Sequence, residues 1–302
     1  MSAATYDSIS RPVTRAAAVR KAHPFLAAWL LLAPSLVFLV TFTYWPVLRV
    51  LVTSFINARN GHGNYARLFA DPAFARAVEN NFIYAAGTII PSLTLSLGLA
   101  VALRETSRFA TVLRTLIALP LLIPLVAAAS LFIFIFLPGG GLLDYYLARS
   151  GLAETNWLGN PDLALGSIIA LTIWKNTGYY MLFFLAGLAG IPNELIDAAK
   201  IDGAGPVQRF FRVTLPLLGP TLAFVLIIAL LNVLTQVDHV IVMTQGGPSE
   251  STTLVLYYIY QQAHQNNDLG LASAATVISV AFLFAISMIS LRALERGIHY
   301  EN

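Results

Sequence analysis

Ile191-Pro192-Asn193-Glu194-Leu195-Ile196-Asp197-Ala198-Ala199-Lys200-Ile201-Asp202-Gly203-Ala204-Gly205-Pro206, continuing as Val207-Gln208-Arg209-Phe210-Phe211-Arg212-Val213-Thr214-Leu215-Pro216, is a polar stretch lodged between long apolar runs. Its residues spell two short helices joined by a glycine turn. Asn193 suits the N-cap of the first, with Glu194 and Asp197 in the opening turns, where the helix dipole favours acids. Ala198 and Ala199 keep one flank narrow enough for another backbone to come close. Gly203 suits the left-handed position that ends a helix, and Pro206 the first position of the next. That second helix is amphipathic, with Phe210, Phe211 and Val213 apolar and Gln208, Arg209 and Arg212 free to face water or headgroups. On these grounds alone the stretch reads equally well as a re-entry loop with a surface helix or as a docking element.

The runs on either side settle the fold class. A membrane-crossing helix needs about 20 mostly apolar residues, and such runs fall at 25–47, 82–103, 113–137, 163–187, 213–235 and 269–291. Hydrophobic residues make up 57% of the chain and charged residues 11%, against about 25% charged in a soluble domain. Too few charges remain to coat a globule of this size, so lipid must cover the rest. The reading is an all-α integral membrane protein with about six transmembrane helices. It divides into an N-terminal segment (1–24), a six-helix transmembrane domain (25–291, with the loop 191–216 between the fourth and fifth helices) and a tail (292–302). The first run continues past a signal-peptide h-region, lacks a small-x-small cleavage site and ends in Tyr44-Trp45-Pro46, an interfacial anchor.

With six spans both termini share a side with the loops near 104–112 and 188–212. That side holds Arg11, Arg15, Arg20, Lys21, Arg104, Arg108, Arg114, Lys200, Arg209, Arg212, Arg292 and Arg296, twelve in all. The other side, spans included, holds six: Arg49, Arg59, Arg67, Arg76, Arg149 and Lys175. The positive-inside rule therefore places both termini in the cytoplasm. Three outer loops, 57–80, 138–162 and 236–268, are long enough to be functional, with a receptor-docking face as the functional reading. A net charge of +3 gives no reason to expect a nucleic-acid partner. The absence of cysteine excludes disulfides, thiol nucleophiles and cysteine metal sites.

Asp197-Ala198-Ala199, with Gly203 after three residues and Val213-Thr214-Leu215-Pro216 after nine more, resembles the EAA loop of ABC importer permeases. Asp197 stands where glutamate is usual, keeping the charge with a shorter reach. Ala198-Ala199-Lys200-Ile201-Asp202-Gly203-Ala204, Gly246-Gly247-Pro248 followed by Thr252-Thr253-Leu254, and Leu294-Glu295-Arg296 leading to His299-Tyr300 are similar to the carbohydrate-importing branch. The Phe210-Phe211-basic stretch looks like that of maltose- and glycerol-3-phosphate-type permeases. The resemblance implies that the loop is a coupling helix docking into a groove on a cytoplasmic ATPase subunit. Glu194, Asp197, Ala198, Ala199, Ile201, Asp202, Gly203, Ala204, Leu215 and Pro216 then contribute to that coupling. It also implies a second permease subunit, two ATP-binding subunits that hold ATP and magnesium, and a periplasmic or lipid-anchored solute-binding protein. The location implied is the bacterial inner membrane, and the cargo a carbohydrate-type solute (sugar, oligosaccharide, polyol or glycerol-3-phosphate). No cofactor or metal is expected in this chain.

Lys175 falls halfway along the fourth run, where an insertion scale charges about 2.5–3.5 kcal/mol for a lysine. It must face the bundle interior or a wet cavity and find a partner. In one reading Lys175, Asn176 and Tyr179 line a translocation path; in the other Lys175 pairs with backbone carbonyls or an acid such as Asp238. Trp174 and Tyr180 read as packing. Asn232, Gln236 and Asp238, with His239, form a second polar cluster at the end of the fifth run. Asn232 and Gln236 share a face at a spacing of four, and His239 joins them if the helix continues; the cluster lines the path or marks where the helix meets water. His239 has no second ligand at a metal-like spacing. Gly139-Gly140-Gly141 is not a phosphate loop, and no G-x-x-x-x-G-K-[ST] occurs in the chain, so in this reading ATP is hydrolysed by another subunit. An ATP-independent secondary transporter, with inverted repeats and broken helices, is the alternative. Pro91, Pro120, Pro124, Pro216 and Pro220 fall where they could kink spans. A membrane-embedded enzyme would need more than Lys175 and Asp238.

Overall fold

The computed structural model describes residues 24–56, 63–105, 107–151 and 153–297. Arg11, Arg15, Arg20, Lys21, Arg59 and the His299-Tyr300 end lie outside the described residues. The described chain is helical with no strand, and divides into two compact units, one ending at Arg49 and the other beginning at Val50.

Helix α1 (Pro24–Leu39) passes through a π-turn at Val40–Tyr44 into α2 (Trp45–Ile56). Tyr44-Trp45-Pro46 therefore does not end the first helix. The π-turn restarts the ladder at Trp45, so Pro46 sits in a first turn where its missing N–H is no loss. Then come α3 (Asn64–Ala70) and α4 (Pro72–Ala102), followed by α5 (Arg108–Ala118), which tightens into a 3₁₀ turn at Leu119–Leu122 before α6 (Leu125–Ile135). Helix α4 starts ten residues before the apolar run does. Asp71 caps it by accepting the Ala73 N–H at 2.9 Å, and Pro72 is its first residue. Helices α7 (Leu142–Arg149), α8 (Pro161–Ala189) and α9 (Asn193–Ile201) follow, then the short α10 (Pro206–Arg209) and α11 (Leu215–Leu217) around a π-turn. The chain closes with α12 (Gly219–Thr235), α13 (Asp238–Met243), α14 (Val255–Tyr260) and α15 (Leu269–Gly297).

Among the described residues three helices, Ala28–Ile56, Pro72–Ala102 and Leu269–Ile289, are long and apolar enough to cross a membrane alone. Three more crossings result if each bent pair counts as one span: 108–122 with 125–135 at 102°, 161–189 with 193–201 at 72°, and 206–217 with 219–235 at 68°. Each break falls at or beside a proline, Pro120 with Pro124 in the first pair, Pro192 in the second and Pro220 after Gly219 in the third, whereas Pro91 lies inside an unbroken α4.

Helices α4 and α8 form the centre of the second unit. They run in the same direction: Tyr84 Oη meets Thr172 Oγ1 at 3.0 Å and, further along both, Ser96 Oγ donates to the Thr177 carbonyl at 2.7 Å. Hydroxyls bridging helices replace the hydrophobic drive that lipid cannot supply. Tyr84, Tyr180, Met181, Phe184, Ile168 and Leu171 are buried around that seam. The loop between α4 and α5 is closed by Arg114, whose guanidinium donates to the carbonyls of Leu103 and Glu105, a cation at the C-terminal end of α4.

Candidate functional site

At the end of α8 the chain turns through 72° into α9, which contains no buried residue. Ile191 anchors the corner in the core, and Ile196 packs partly against it. Beyond that the helix is bare: Leu195 is 46% and Ile201 86% exposed. Helix α9 begins at Asn193 itself, with Pro192 in the cap position and no side-chain cap bond, so Asn193 is not the N-cap. Proline before it has already fixed the entry angle. The C-terminal end forms as the sequence requires. Gly203 is left-handed at φ +78°, its N–H donates to the Lys200 carbonyl and the Ala204 N–H to the Ala199 carbonyl, both at 3.0 Å. That six-to-one plus five-to-two pair is a Schellman turn.

Pro206 opens α10 as its first residue. The amphipathic face differs from the sequence reading: Val207 is 71% and Phe211 60% exposed, while Phe210 and Val213 are half-buried. The π-turn at Phe210–Thr214 adds a residue and rotates Phe211 outward. Leu215 is half-buried and Pro216 exposed, and Leu218 is fully buried beside Gly187 of α8, where a Cβ would meet it at 2.9 Å. Glu194, Ala198, Asp202 and Gly203 are exposed, Ala199 and Ala204 half-buried. Asp197 pairs at 2.7 Å with Lys200 on its own helix, both more than half exposed, an ion pair of small energetic weight.

The intramembrane polar residues separate into two groups. Lys175 donates to the carbonyls of Pro120 at 3.2 Å and Ile123 at 2.5 Å. Among the described residues no acid lies within ion-pair distance of it, Asp238 included. Asn176 is buried within the α8 packing, and Tyr179 is half-buried with its ring 5.6 Å from Tyr180 and 5.0 Å from Phe183. Trp174 packs on Phe132 at 5.2 Å. Asn232 donates to Tyr180 Oη at 3.3 Å, and Gln236 reaches the Asn232 amide oxygen at 3.5 Å. His239 does not continue this face. Helix α12 ends at Thr235, the chain extends at Gln236, and His239 is completely buried with its ring 5.5 Å from Tyr84. Asp238 is exposed in the first turn of α13, where an acid suits the dipole.

The opposite end of the bundle carries loops that are closed by their own side chains. Asp144 in α7 accepts from the Gly139 N–H at 2.9 Å, the Trp157 indole at 2.8 Å and the Thr155 N–H at 3.4 Å. The Gly139 N–H foremost, then the Trp157 indole, hold its carboxyl below the ordinary carboxylate range against an opposing push from burial. Between α13 and α14, Thr252 Oγ1 donates to the Gly247 carbonyl at 2.8 Å and Thr253 Oγ1 to the Gly246 carbonyl at 3.1 Å. Asn80 of α4 donates to the carbonyls of Glu250 at 2.8 Å and Thr253 at 3.1 Å. Gly246-Gly247-Pro248 and Thr252-Thr253 thus belong to one knot, a role that their spacing alone did not reveal.

Broken apolar helices about a parallel pair, with one bare polar elbow at one end and knotted loops at the other, define a polytopic helical membrane protein. Residues 94–300 match the sequence profile of the binding-protein-dependent transport system inner membrane component, and the chain belongs to that family. It is 33% identical to the sn-glycerol-3-phosphate transport system permease protein UgpA of Brucella abortus over 90% of this chain and 96% of that protein. It is 34% identical to the sulfoquinovosyl glycerol transport system permease protein SmoG of Agrobacterium fabrum, over 89% and 91%. Among solved structures, a chain of a bacterial ABC transporter involved in import of the acidic polysaccharide alginate superposes with a TM-score of 0.80. That match has 25% identity and covers 90% of this chain and 97% of that one. The chain is the membrane permease subunit of an ATP-driven, binding-protein-dependent importer.

Proposed function

We propose that residues 191–216 are the coupling loop of this permease, and that α9 docks on a separate ATPase subunit which binds ATP and magnesium. The observation that carries the reading is a helix with no buried residue that ends in an 86% exposed isoleucine. An apolar side chain held out by a rigid turn, flanked by Glu194 and Asp202, fits a groove on a partner better than bulk water. Lys200, Arg209 and Arg212 near it agree with a cytoplasmic face, so the termini are cytoplasmic as well and the knotted loops face the solute-binding protein. The relatives' names support a hydroxyl-bearing, carbohydrate-type solute, such as a sugar, oligosaccharide, polyol or glycerol-3-phosphate. A second permease chain completes the translocation path, with Asn232 and Gln236 the polar groups of this chain best placed to line it. Asn176 and Tyr179 contribute mainly to packing.

Closure of the ATPase subunits would push on α9, and the stiff corner at Ile191 would pass that push into α8. Co-expression with candidate ATPase subunits and purification in detergent tests this, comparing wild type with Gly203→Asp. Position 203 faces open space at φ +78°, so an aspartate strains the turn without a clash. The expected result is normal accumulation of the permease with loss of bound ATPase or of solute-stimulated hydrolysis. An ATPase subunit retained and fully coupled in the variant, or none bound to the wild type, overturns the reading.

A further inference from the structure

We propose that Lys175 is a positioning residue that pins the break between α5 and α6 to α8, the helix whose far end carries α9. A helix end leaves carbonyls without intrahelical donors, and here the end falls inside an apolar bundle. The 3₁₀ turn closes with Ile123 N–H donating to the Pro120 carbonyl at 3.2 Å, and Pro124 brings no N–H of its own. The Ile123 carbonyl lies outside both helices and takes its bond from Lys175 at 2.5 Å; the Pro120 carbonyl takes a second one at 3.2 Å. A cation at that point also faces the negative end of the α5 dipole.

The neighbours of Lys175 on α8 hold the two legs of the bend. Gly178, three residues on and on the same face, lies so close to α5 that a Cβ there would stand 2.0 Å from the Ile117 carbonyl oxygen. Trp174 packs at 5.2 Å on Phe132 of α6. One leg, the corner and the other leg of a 102° bend are thus each met by a residue within a single turn of α8. If α9 is the coupling helix, the consequence is that a push on it reaches the break through this turn; that consequence rests on the coupling-loop reading, while the pin itself does not.

The chain has no cysteine, so spin labels can be placed on Val112 of α5 and Phe134 of α6, both exposed. The labelled permease, assembled with cysteine-free partner subunits in nanodiscs, gives the interlabel distance by pulsed electron resonance. Lys175→Met keeps the apolar stem and removes the donor; Lys175→Arg keeps charge and donors. The expected result is a narrow distribution in wild type, a shifted or broadened one in Lys175→Met and recovery in Lys175→Arg. Transport per ATP should fall about tenfold in Lys175→Met, with the KM for solute unchanged. An unchanged distance in Lys175→Met overturns the pin, and a raised KM at unchanged distance assigns Lys175 to the solute path instead. If Lys175→Met does not accumulate, Lys175→Gln, a neutral donor of shorter reach, is measured in the same way. The distance is read with or without a bound ATPase subunit, so an error in the coupling-loop reading leaves the result intact.

Discussion

Residues 244–254 and residues 191–205 both turn the chain between helices, yet one is closed upon itself and the other is bare. In the first, Thr252 and Thr253 are buried and bonded to backbone, and Asn80 reaches in from α4 with two more bonds. Side chains there satisfy the loop's own carbonyls, leaving little for a partner to supply. In the second, Ile191 anchors one end and the backbone bonds of the Schellman turn close the other, while the apolar side chains at 195 and 201 are exposed. A loop that fixes its backbone but leaves apolar side chains exposed has stiffness with an open face, which is what a docking lever requires. The knotted loop is a platform whose shape is its contribution.

The sharpest way to break this contrast is to damage the knot. Gly246 has φ +79°, and a Cβ there would stand 2.5 Å from the Tyr257 ring and 2.7 Å from Thr253 Oγ1. Left-handed strain for a non-glycine residue costs about 1–2 kcal/mol and overpacking about 1–3 kcal/mol, so Gly246→Ala should destabilise by about 2–5 kcal/mol. The expected outcome is a clear drop in the detergent melting midpoint and faster proteolysis between α13 and α14. Unaltered melting would mean the knot is not what fixes this end. The corresponding change at Ile201 should spare the fold: Ile201→Glu touches nothing buried in this chain, so its melting midpoint stays at the wild-type value. ATPase-subunit affinity should fall about tenfold or more, the size of one interface anchor. Measuring both on one preparation separates docking from folding. Equal affinity for wild type and Ile201→Glu would remove Ile201 from the interface.

What the sequence revealed of these two regions differs for the same physical reason. The elbow is local: Gly203, Pro206 and Glu194 in the first turn act through backbone propensity and dipole, which spacing displays. Its end and restart were legible for that reason, and only the N-cap and the orientation of Phe211 were not. Asn193 was displaced by the proline before it, and a π-turn, which no residue type signals, rotated Phe211. The knot is non-local. Nothing in Thr253 or Asn80 shows that the two meet, because their separation in sequence is closed only by the packing of α14 on α4. The same holds for Lys175. Its need for a partner could be read from its depth, and backbone carbonyls were one of two open choices. Only the bend places Pro120 and Ile123 under its ammonium. His239 failed as a continuation of the Asn232 face because α12 stops at Thr235, and no proline or glycine marks that stop.

The mildest test of the contrast lies in the other knotted segment and appears only in acid. Asp144 takes three donors, and its carboxyl is held below the usual range, first by the Gly139 N–H and then by the Trp157 indole. A depressed carboxylate stabilises the fold wherever pH exceeds the unfolded value of about 3.9, and that contribution is lost as pH falls through the folded value. At neutral pH the contribution is therefore constant, and the loop 139–157 should stay closed to protease from pH 7 down to about pH 4. Below that, protonation puts a fourth hydrogen among three donors, and the loop should open reversibly with a change in tryptophan fluorescence. Asp144→Asn, which offers one acceptor oxygen and two hydrogens, should show the opened state at neutral pH and no transition in acid. A variant that still titrates like the wild type would place the acid-sensitive group elsewhere. The elbow offers no counterpart: the Asp197–Lys200 pair is exposed, and a pair of that kind adds little to the fold. If the elbow opened together with the 139–157 loop on acidification, the two ends would not be built on different principles after all.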